Sequence, residues 1–546
     1  MNQLLIGILI GFDLIFGFDN NNKITASEKY IQTAVKTSLT NATKTDTDNK
    51  KKLSKKIPAF PGAEGAGMWS VGGRGGKVYE VTTLEDLDFS DPKNPKPTPG
   101  SLREAIEAKG PRIIIFRVAG YIDLDKRLVV KNPYLTIAGQ TAPGQGITLR
   151  NWGLNIYADH VIVRYLRIRP GDNALKKCVN PKNRSQIAFS ETDSLEILGK
   201  SKDVIIDHSS MSWSNDETLS IDGRDIDRIT VQWNIIAEPL HKSTHCAGAV
   251  GYGSIIGGSK GAEYSFHHNL YAHTSARAPK LSNRLNSDRD GNNDQKGLLV
   301  DFSNNVVYNP GGAYPGGVTT CLYNGANRRN TAGSNIVKLN FINNYYKFGF
   351  NSRKQPALNR FIIYGENCPR SKTYFAGNAV VNPSHGKPII PRDPWNLVYF
   401  NPKYLDSNDI KNIKQLNPFA TKMNRNRTKN PVQAYQDVLN YAGATRPFRD
   451  SVDRRILEGV KNGTGKIIND EMESCDNPKD KSTCGWPTLL SGTPPIDSDR
   501  DGLPDDWEKK YGLNQNNPQD GNLDCDGDGY TNIEEYINQG PGKPCP

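Results

Sequence analysis

Four acidic residues and one arginine hold the densest chemistry in this sequence. Asp193 lies in Glu191-Thr192-Asp193-Ser194-Leu195, Asp216 and Glu217 in Trp213-Ser214-Asn215-Asp216-Glu217-Thr218, and Asp222 just beyond. If successive strands of this region stack as coils, equivalent positions lie about 5 Å apart, the strand spacing. Carboxylates that close repel one another unless a hard divalent cation on oxygen ligands draws them together. Asp193 and Glu217 are the strongest of the four. Arg277 sits in Ser275-Ala276-Arg277-Ala278-Pro279-Lys280-Leu281-Ser282-Asn283-Arg284, with Lys280 and Arg284 close behind. An anionic ligand held beside a divalent cation needs counter-charges of this kind.

A second acidic pattern stands near the C-terminus. Asp497, Asp499, Asp501, Asp505 and Glu508 occupy positions 1, 3, 5, 9 and 12 of a twelve-residue loop, with Gly502 at position 6. Asp524, Asp526, Asp528, Asn532 and Glu535 repeat the pattern, with Gly529 at position 6. Calcium takes six to eight oxygen ligands, and an EF-hand-like loop of this length supplies them from these positions, a backbone carbonyl at 7 included. Two in-register copies predict a small calcium-binding module.

Both acidic sets need a scaffold, and a recurring asparagine indicates what it is. Asn234, Asn269, Asn305, Asn344 and Asn378 each end a β-branched or aromatic run, at spacings of 35, 36, 39 and 34 residues. A fixed strand-Asn signature on an irregular period predicts stacked coils of a parallel β-solenoid, with insertions entering at the turns. Asn tolerates the left-handed region at a strand corner, and stacked amides bond from coil to coil. Strands are expected at 112–118, 135–138, 160–168, 204–207 and 229–234 and onward to about residue 400. A helix over Gly100–Ala108, capped by Ser101, would cover the open end of the first coils. A helical tail is expected around 433–439.

The remaining composition bounds the class. The chain has 546 residues, 36% of them hydrophobic, with 51 Gly and 34 Pro, a turn-rich β composition. Residues 1–17 read as a signal peptide, 18–56 as a disordered Lys/Asn/Thr-rich linker, 57–465 as a parallel β-helix with its tail, 466–495 as a second linker and 496–546 as the calcium module. The chain is therefore expected to be secreted and extracellular, monomeric and without a membrane span. Eight Cys suit an oxidising compartment, Cys475 with Cys484 and Cys525 with Cys545 being local staples; partners for Cys178, Cys246, Cys321 and Cys368 are left open. Glycosylation sequons stand at Asn41, Asn183, Asn426 and Asn462. The net charge of +11 divides into +4 for residues 1–56, −8 for 490–546 and so +15 between them. A basic body in a secreted protein implies a polyanionic partner. Without a nucleic-acid-binding motif, that partner is expected to be an acidic polysaccharide.

The stretches Phe60 to Gly67, Gly72-Gly73-Arg74-Gly75-Gly76, Ala138-Gly139-Gln140-Thr141-Ala142-Pro143-Gly144, Ser212 to Glu217 and His267 to Pro279 together resemble polysaccharide lyase family 1, the pectate lyases, over about residues 57–465. The resemblance is strongest to the secreted pectate lyase C type, some of which carry an EF-hand-like segment. It implies an all-β fold, a right-handed parallel β-helix of the pectin-lyase-like kind, and calcium-dependent β-elimination of α-1,4-linked polygalacturonate. It implies that Arg277 is the base at C5 and that Asp193 and Glu217 hold calcium, with Asp216 and Asp222 competing for the other place. One departure is visible: Ala247 stands where many relatives carry a Lys, which leaves Lys242, Lys280 or Arg284 to hold a substrate carboxylate.

Two other functions fit the same scaffold less well. A polygalacturonase-type hydrolase requires paired carboxylates about 6.5–9.5 Å apart, and no Asp-Asp pair followed by Gly-His-Gly appears at the matching stage of the chain. A non-catalytic glycan-binding β-helix is the other, prompted by the missing Lys.

Overall fold

A computed structural model describes residues 56–539, apart from 181, 184–189, 284–293, 295, 312–317, 321–335, 353–361, 365–370, 382–385, 401, 403–404, 424–428 and 478. The predicted signal peptide and nearly all of the first linker, Arg284, Cys321, Cys368, Cys545, and the sequons at Asn41 and Asn426 lie outside the described residues. Asn183 and Asn462 are both exposed. No helix among the described residues is long and apolar enough to cross a membrane.

Residues from Ile57 onward fold as one unit. Three parallel sheets, of 11, 9 and 9 strands among the described residues, run side by side along it. Each turn of chain contributes a strand to the first sheet, then the second, then the third, and then returns to the first. This is a right-handed parallel β-helix, the hand that parallel crossovers take. Alternation along each strand sends every second side chain inward. The register then stacks like on like: Ile229 pairs with Tyr264 and Tyr264 with Val300, while Val231, Phe266, Phe302 and Phe341 follow one another in line. Phe302 and Phe341, and Phe341 and Phe375, stack with ring centroids 5.2 Å apart. The coils begin one turn earlier than the apolar runs indicated, at Lys77–Val81.

The asparagine ladder is present. Each side-chain oxygen accepts from the Asn one coil earlier: Asn234 to Asn269 at 3.0 Å, Asn269 to Asn305 at 2.9 Å, Asn305 to Asn344 at 3.3 Å and Asn344 to Asn378 at 3.0 Å. The left-handed corner falls one residue before each ladder position, on Trp233, His268, Asn304, Asn343 and Gly377. The ladder Asn therefore earns its place by its amide bonds alone. His160–Ile168 is split by such a corner at Tyr165 into Val161–Arg164 and Arg167–Ile168.

The expected helix forms at Leu102–Glu107, and the Ser101 hydroxyl accepts from the Glu104 N–H. Leu102, Ala105 and Ile106 join the main core, which closes that end. The tail helices, Pro431–Tyr441 and Ser451–Asn462, lie over the second sheet. There Ile235, Ala237, Leu270, Ala272 and Tyr308 face outward and are buried beneath Val438, Ile456 and Val460. Strands of that sheet are thus apolar on both faces.

Residues 466–495 differ from a free linker. The Cys475–Cys484 disulfide closes one turn, Trp486 packs edge-on against Trp213 and Tyr121, and Leu490 accepts from the Gln145 backbone N–H and donates its own N–H to the Gln145 side-chain oxygen. A linker rich in Gly, Pro and Thr was expected; Trp486 is the anchor that composition obscured. Beyond it, Leu503, Ile533 and Ile537 cover Ile113, Ile115 and Ala138 on the outer face of the first sheet. Arg74 Nε–H donates to both Glu534 oxygens, and Arg164 donates to Asn538. The C-terminal loops are part of the body of the molecule.

Candidate functional site

The third sheet carries a polar outer face. On Leu195–Leu198 and Glu217–Asp222, Leu195, Ile197, Leu219 and Ile221 point into the core, so Glu196 and Ser220 point out and are register partners. The entry ends of these strands bring the sequence candidates together. Asp193 stands two residues before Leu195, in line with Glu217 two residues before Leu219. Glu217 pairs with Tyr252 one coil on, and Tyr252 pairs with Ala276 beyond that. The repeat thus converts residues 84 positions apart in sequence into one short column.

Asp193, Asp216 and Glu217 each place a carboxylate oxygen within 4.8 Å of the others. Asp193 is buried; it accepts from the Glu217 N–H at 3.1 Å and from the Ser220 hydroxyl. Burial, then Glu196 and Asp216, push its carboxyl well above the usual range. The Arg277 guanidinium lies against the Glu217 carboxylate and over the Tyr252 ring, 3.7 Å from its centroid. Arg277 is held in the left-handed region, φ 61°. A non-glycine residue there carries strain of about 1–3 kcal/mol, a cost that surrounding structure must sustain.

The other candidates divide. Lys280 begins the strand Lys280–Asn283 three residues after Arg277 and is half-buried. Lys242 is exposed, at the base of the loop that Lys242 and Ala249 close by pairing. Asp222 is not part of the cluster. It lies at the far end of its strand, in register with Leu198, five residues or roughly 16 Å from Glu217. The sequence spacing placed Asp222 in the right coil, but a strand extends where a turn would have folded it back.

Two residues outside the sequence candidates join the site. Glu196 accepts from Asn155, and burial raises its carboxyl despite nearby Arg127. His245 reaches Glu191 at 2.8 Å and Asp216 at 3.5 Å. Burial opposes its charge, but Asp216 and Glu191 outweigh burial and raise it to about 9. The Cys178–Cys246 disulfide pins that loop, and Thr244 and Asn215 both bond the Ser190 carbonyl. His245 stands two residues before Ala247.

In the first C-terminal loop three of the expected ligands come together. Asp497, Asp499 and Asp501 converge to within 4.8 Å. Glu508 is fully buried, and neither of its oxygens has a hydrogen-bond partner; one oxygen each of Asp499 and Asp520 is likewise buried and unpartnered. Asp505 turns away, accepting from the Ser498 N–H and hydroxyl, while Asp520 is buried close enough for its charge to act on Glu508. Burial and then Asp499 push Glu508 up to about 8, and burial leads in raising Asp501 to about 7. Bare buried carboxylates without donors are what a hard cation would satisfy. In the second loop Asp524, Asp526 and Asp528 converge in the same way. Asn532 spends its amide N–H on the Asp520 carbonyl, and Glu535 is buried.

The sequence has curated relatives along nearly its whole length. It is 34% identical over 496 residues to a probable pectate lyase C of Aspergillus terreus, covering 88% of this chain and 93% of that one. A probable pectate lyase C of Neosartorya fischeri is 33% identical over 504 residues, with the same coverage. A probable pectate lyase 18 of Solanum lycopersicum is 33% identical over 174 residues, 30% of this chain and 39% of that one. No protein-family model matches the chain. Among solved structures, the major cedar pollen allergen jun a 1 aligns with TM-score 0.44 at 17% identity, covering 70% of this chain and 92% of its own. A Bacillus pectate lyase in complex with trigalacturonate aligns with TM-score 0.41 at 15% identity, covering 70% and 98%.

Proposed function

The chain belongs to the pectate lyase family, and on that premise we propose that it depolymerises α-1,4-linked polygalacturonate by β-elimination, with Arg277 as base. The observation that supports the assignment is the Arg277 guanidinium lying on Glu217 inside the Asp193–Asp216–Glu217 cluster. Elimination removes the proton at C5, forms the C4=C5 double bond from that electron pair, and expels the glycosidic oxygen from C4, which leaves with a proton from water.

Asp193, Asp216 and Glu217 would hold a calcium ion, and their all-oxygen donor set fits it. When bound, calcium supplies positive charge that draws in the substrate carboxylate and acidifies the neighbouring C–H. Arg277 would act in its neutral guanidine form, released from Glu217, and become guanidinium on taking the C5 proton. Lys280, half-buried three residues on, and His245 beside Asp216 offer positive charge to the uronate. An inverting hydrolase needs room for water between carboxyl groups about 6.5–9.5 Å apart. Here the oxygens crowd within 4.8 Å, with a guanidinium against them.

The test is product analysis on polygalacturonate. An unsaturated, ultraviolet-absorbing oligomer is expected, lost on chelation and restored by calcium. A saturated reducing product would replace the lyase reading with the hydrolase one, and no product at all would favour a glycan-binding β-helix. Because residues 57–489 carry +15, the Michaelis constant should rise as salt shortens the Debye length from about 10 Å toward 3 Å. Methyl-esterified pectin should be the poorer substrate; equal rates on both polymers at every salt concentration would refute the charge argument.

The C-terminal loops serve a separate purpose in this reading. Asp497, Asp499, Asp501, Asp520 and Glu508 would hold one calcium, and Asp524, Asp526, Asp528 and Glu535 another, each stabilising the module against the first sheet. Without metal, folded Glu508 and Asp501 keep protons that the unfolded chain releases, since their folded values are about 8 and 7. The unfolded chain then binds fewer protons, so metal-free stability declines as pH rises from about 4 to 8. Calcium removes that penalty. Its gain in melting temperature should therefore be larger above about pH 8 than near pH 5, with about 3 kcal/mol available at a hundredfold excess over Kd. An equal gain at both pH values would count against this site.

A further inference from the structure

Glu217 and Arg277 sit two coils apart, with Tyr252 on the coil between them. Glu217 pairs in register with Tyr252, and Tyr252 with Ala276. Equivalent positions two coils apart are separated by roughly 10 Å, so Arg277 reaches Glu217 only by laying its side chain back across position 252. The Tyr252 ring forms the floor of that path, 3.7 Å below the guanidinium carbon.

Tyr252 is itself fixed from both sides. Its N–H donates to the Asp216 carbonyl at 3.0 Å, and its carbonyl accepts from the Thr218 hydroxyl at 3.0 Å. The next two residues tie it to the Arg277 turn: Gly253 N–H donates to Ala276 and Ser254 N–H to the Arg277 carbonyl, at 3.0 and 2.6 Å. One residue thus touches the backbone of the carboxylate cluster and the side chain of the arginine.

We propose that Tyr252 is a positioning residue for Arg277, its ring face setting the direction from which the guanidinium meets the substrate. The inference rests on Arg277 being the base. A planar guanidinium stacks on an aromatic face, and the contact keeps Arg277 in place when Glu217 turns its oxygens to a cation. The ring orients and does not acidify, because its negative face favours the protonated guanidinium.

Three variants test this on the full-length protein: Tyr252→Leu, which removes the face; Tyr252→Phe, which keeps it; and Arg277→Lys, as a control on the base. Tyr252→Leu should lower kcat about ten- to hundredfold, the scale of a lost cation–π contact and a misplaced reacting group. Its KM and its calcium-dependent thermal shift should stay within about twofold of wild type, a split that general loss of packing would not give. Tyr252→Phe should recover most of the lost turnover. Wild-type kcat in Tyr252→Leu beside an inactive Arg277→Lys overturns the proposal and leaves the base assignment standing. Equal losses in the Phe and Leu variants overturn it too, by assigning the effect to the hydroxyl. An active Arg277→Lys removes the base assignment and this inference with it. If Tyr252→Leu does not fold, Tyr252→Met replaces it under the same criteria.

Discussion

Arg277→Lys should fold, respond to calcium as the wild type does, and lose two or more orders of magnitude in turnover, about 3 kcal/mol of barrier. Charge is conserved in this variant, so a loss isolates geometry and basicity. A guanidinium has a reference pKa above 12 and is a poor base by default. It becomes usable where the substrate proton is itself acidified and neighbouring positive charge opposes its protonation. Arg277 also spans two coils, over Tyr252, to reach Glu217. A lysine offers one rotatable ammonium, no planar fork and no flat face to stack on the ring. Oligogalacturonate affinity should change far less than kcat, because Lys280 and His245 remain. If the variant instead keeps its turnover number and raises KM, Arg277 holds substrate and does not take the proton. Full activity in Arg277→Ala would remove the lyase chemistry from this position.

Much of this site is visible in the sequence because a solenoid makes sequence spacing geometric. Asn234, Asn269, Asn305, Asn344 and Asn378 mark the coils, and once the period is known Asp193 and Glu217 fall into one column. What the period leaves out is where a strand ends. Asp222 shares a coil with Glu217 yet lies at the other end of it. His245 and Glu196 were invisible for different reasons. His245 belongs to an inserted loop whose path is set by the Cys178–Cys246 disulfide, a pairing that counting cysteines leaves open. Glu196 is one outward position in an alternating strand, indistinguishable by pattern from a solvated surface residue. Asp520, which we propose as a ligand in place of Asp505, lies between the two regular loops, where the chain folds back and the Gly521 N–H donates to Asp501. Local spacing carries the ligands a single loop supplies; a ligand brought in by tertiary folding has no local signature.

The largest effect on stability is expected from Arg169, which the chemistry does not use. It follows the strand Arg167–Ile168, is wholly buried, and meets Asp450 at 2.5 Å and Asp453 at 2.8 Å. Asp450 is also the N-cap of the helix Ser451–Asn462, so one guanidinium ties the β-helix to its tail. Burial alone would raise the Asp450 carboxyl, but Arg169 and Arg167 outweigh it and hold that group below the usual range. Arg169→Met should cost about 3–5 kcal/mol, because it leaves carboxylates buried without their partner. Denaturant unfolding at neutral pH would read this. The sign with pH separates an electrostatic cause from a packing one. In the wild type, Asp450 has a depressed folded pKa, so its contribution is present above about pH 4 and is lost on acidification. In Arg169→Met, Asp450 keeps only Arg167, and Asp453, whose carboxyl burial already raises, loses its guanidinium; both folded values move up, so the variant's deficit is largest at neutral pH and shrinks relative to wild type as pH falls. Replacing Asp453 by Leu in the same background should restore part of the loss, since an apolar group of similar size needs no counter-charge. A deficit in Arg169→Met that stays constant from neutral to acid pH would assign the effect to lost packing under the tail.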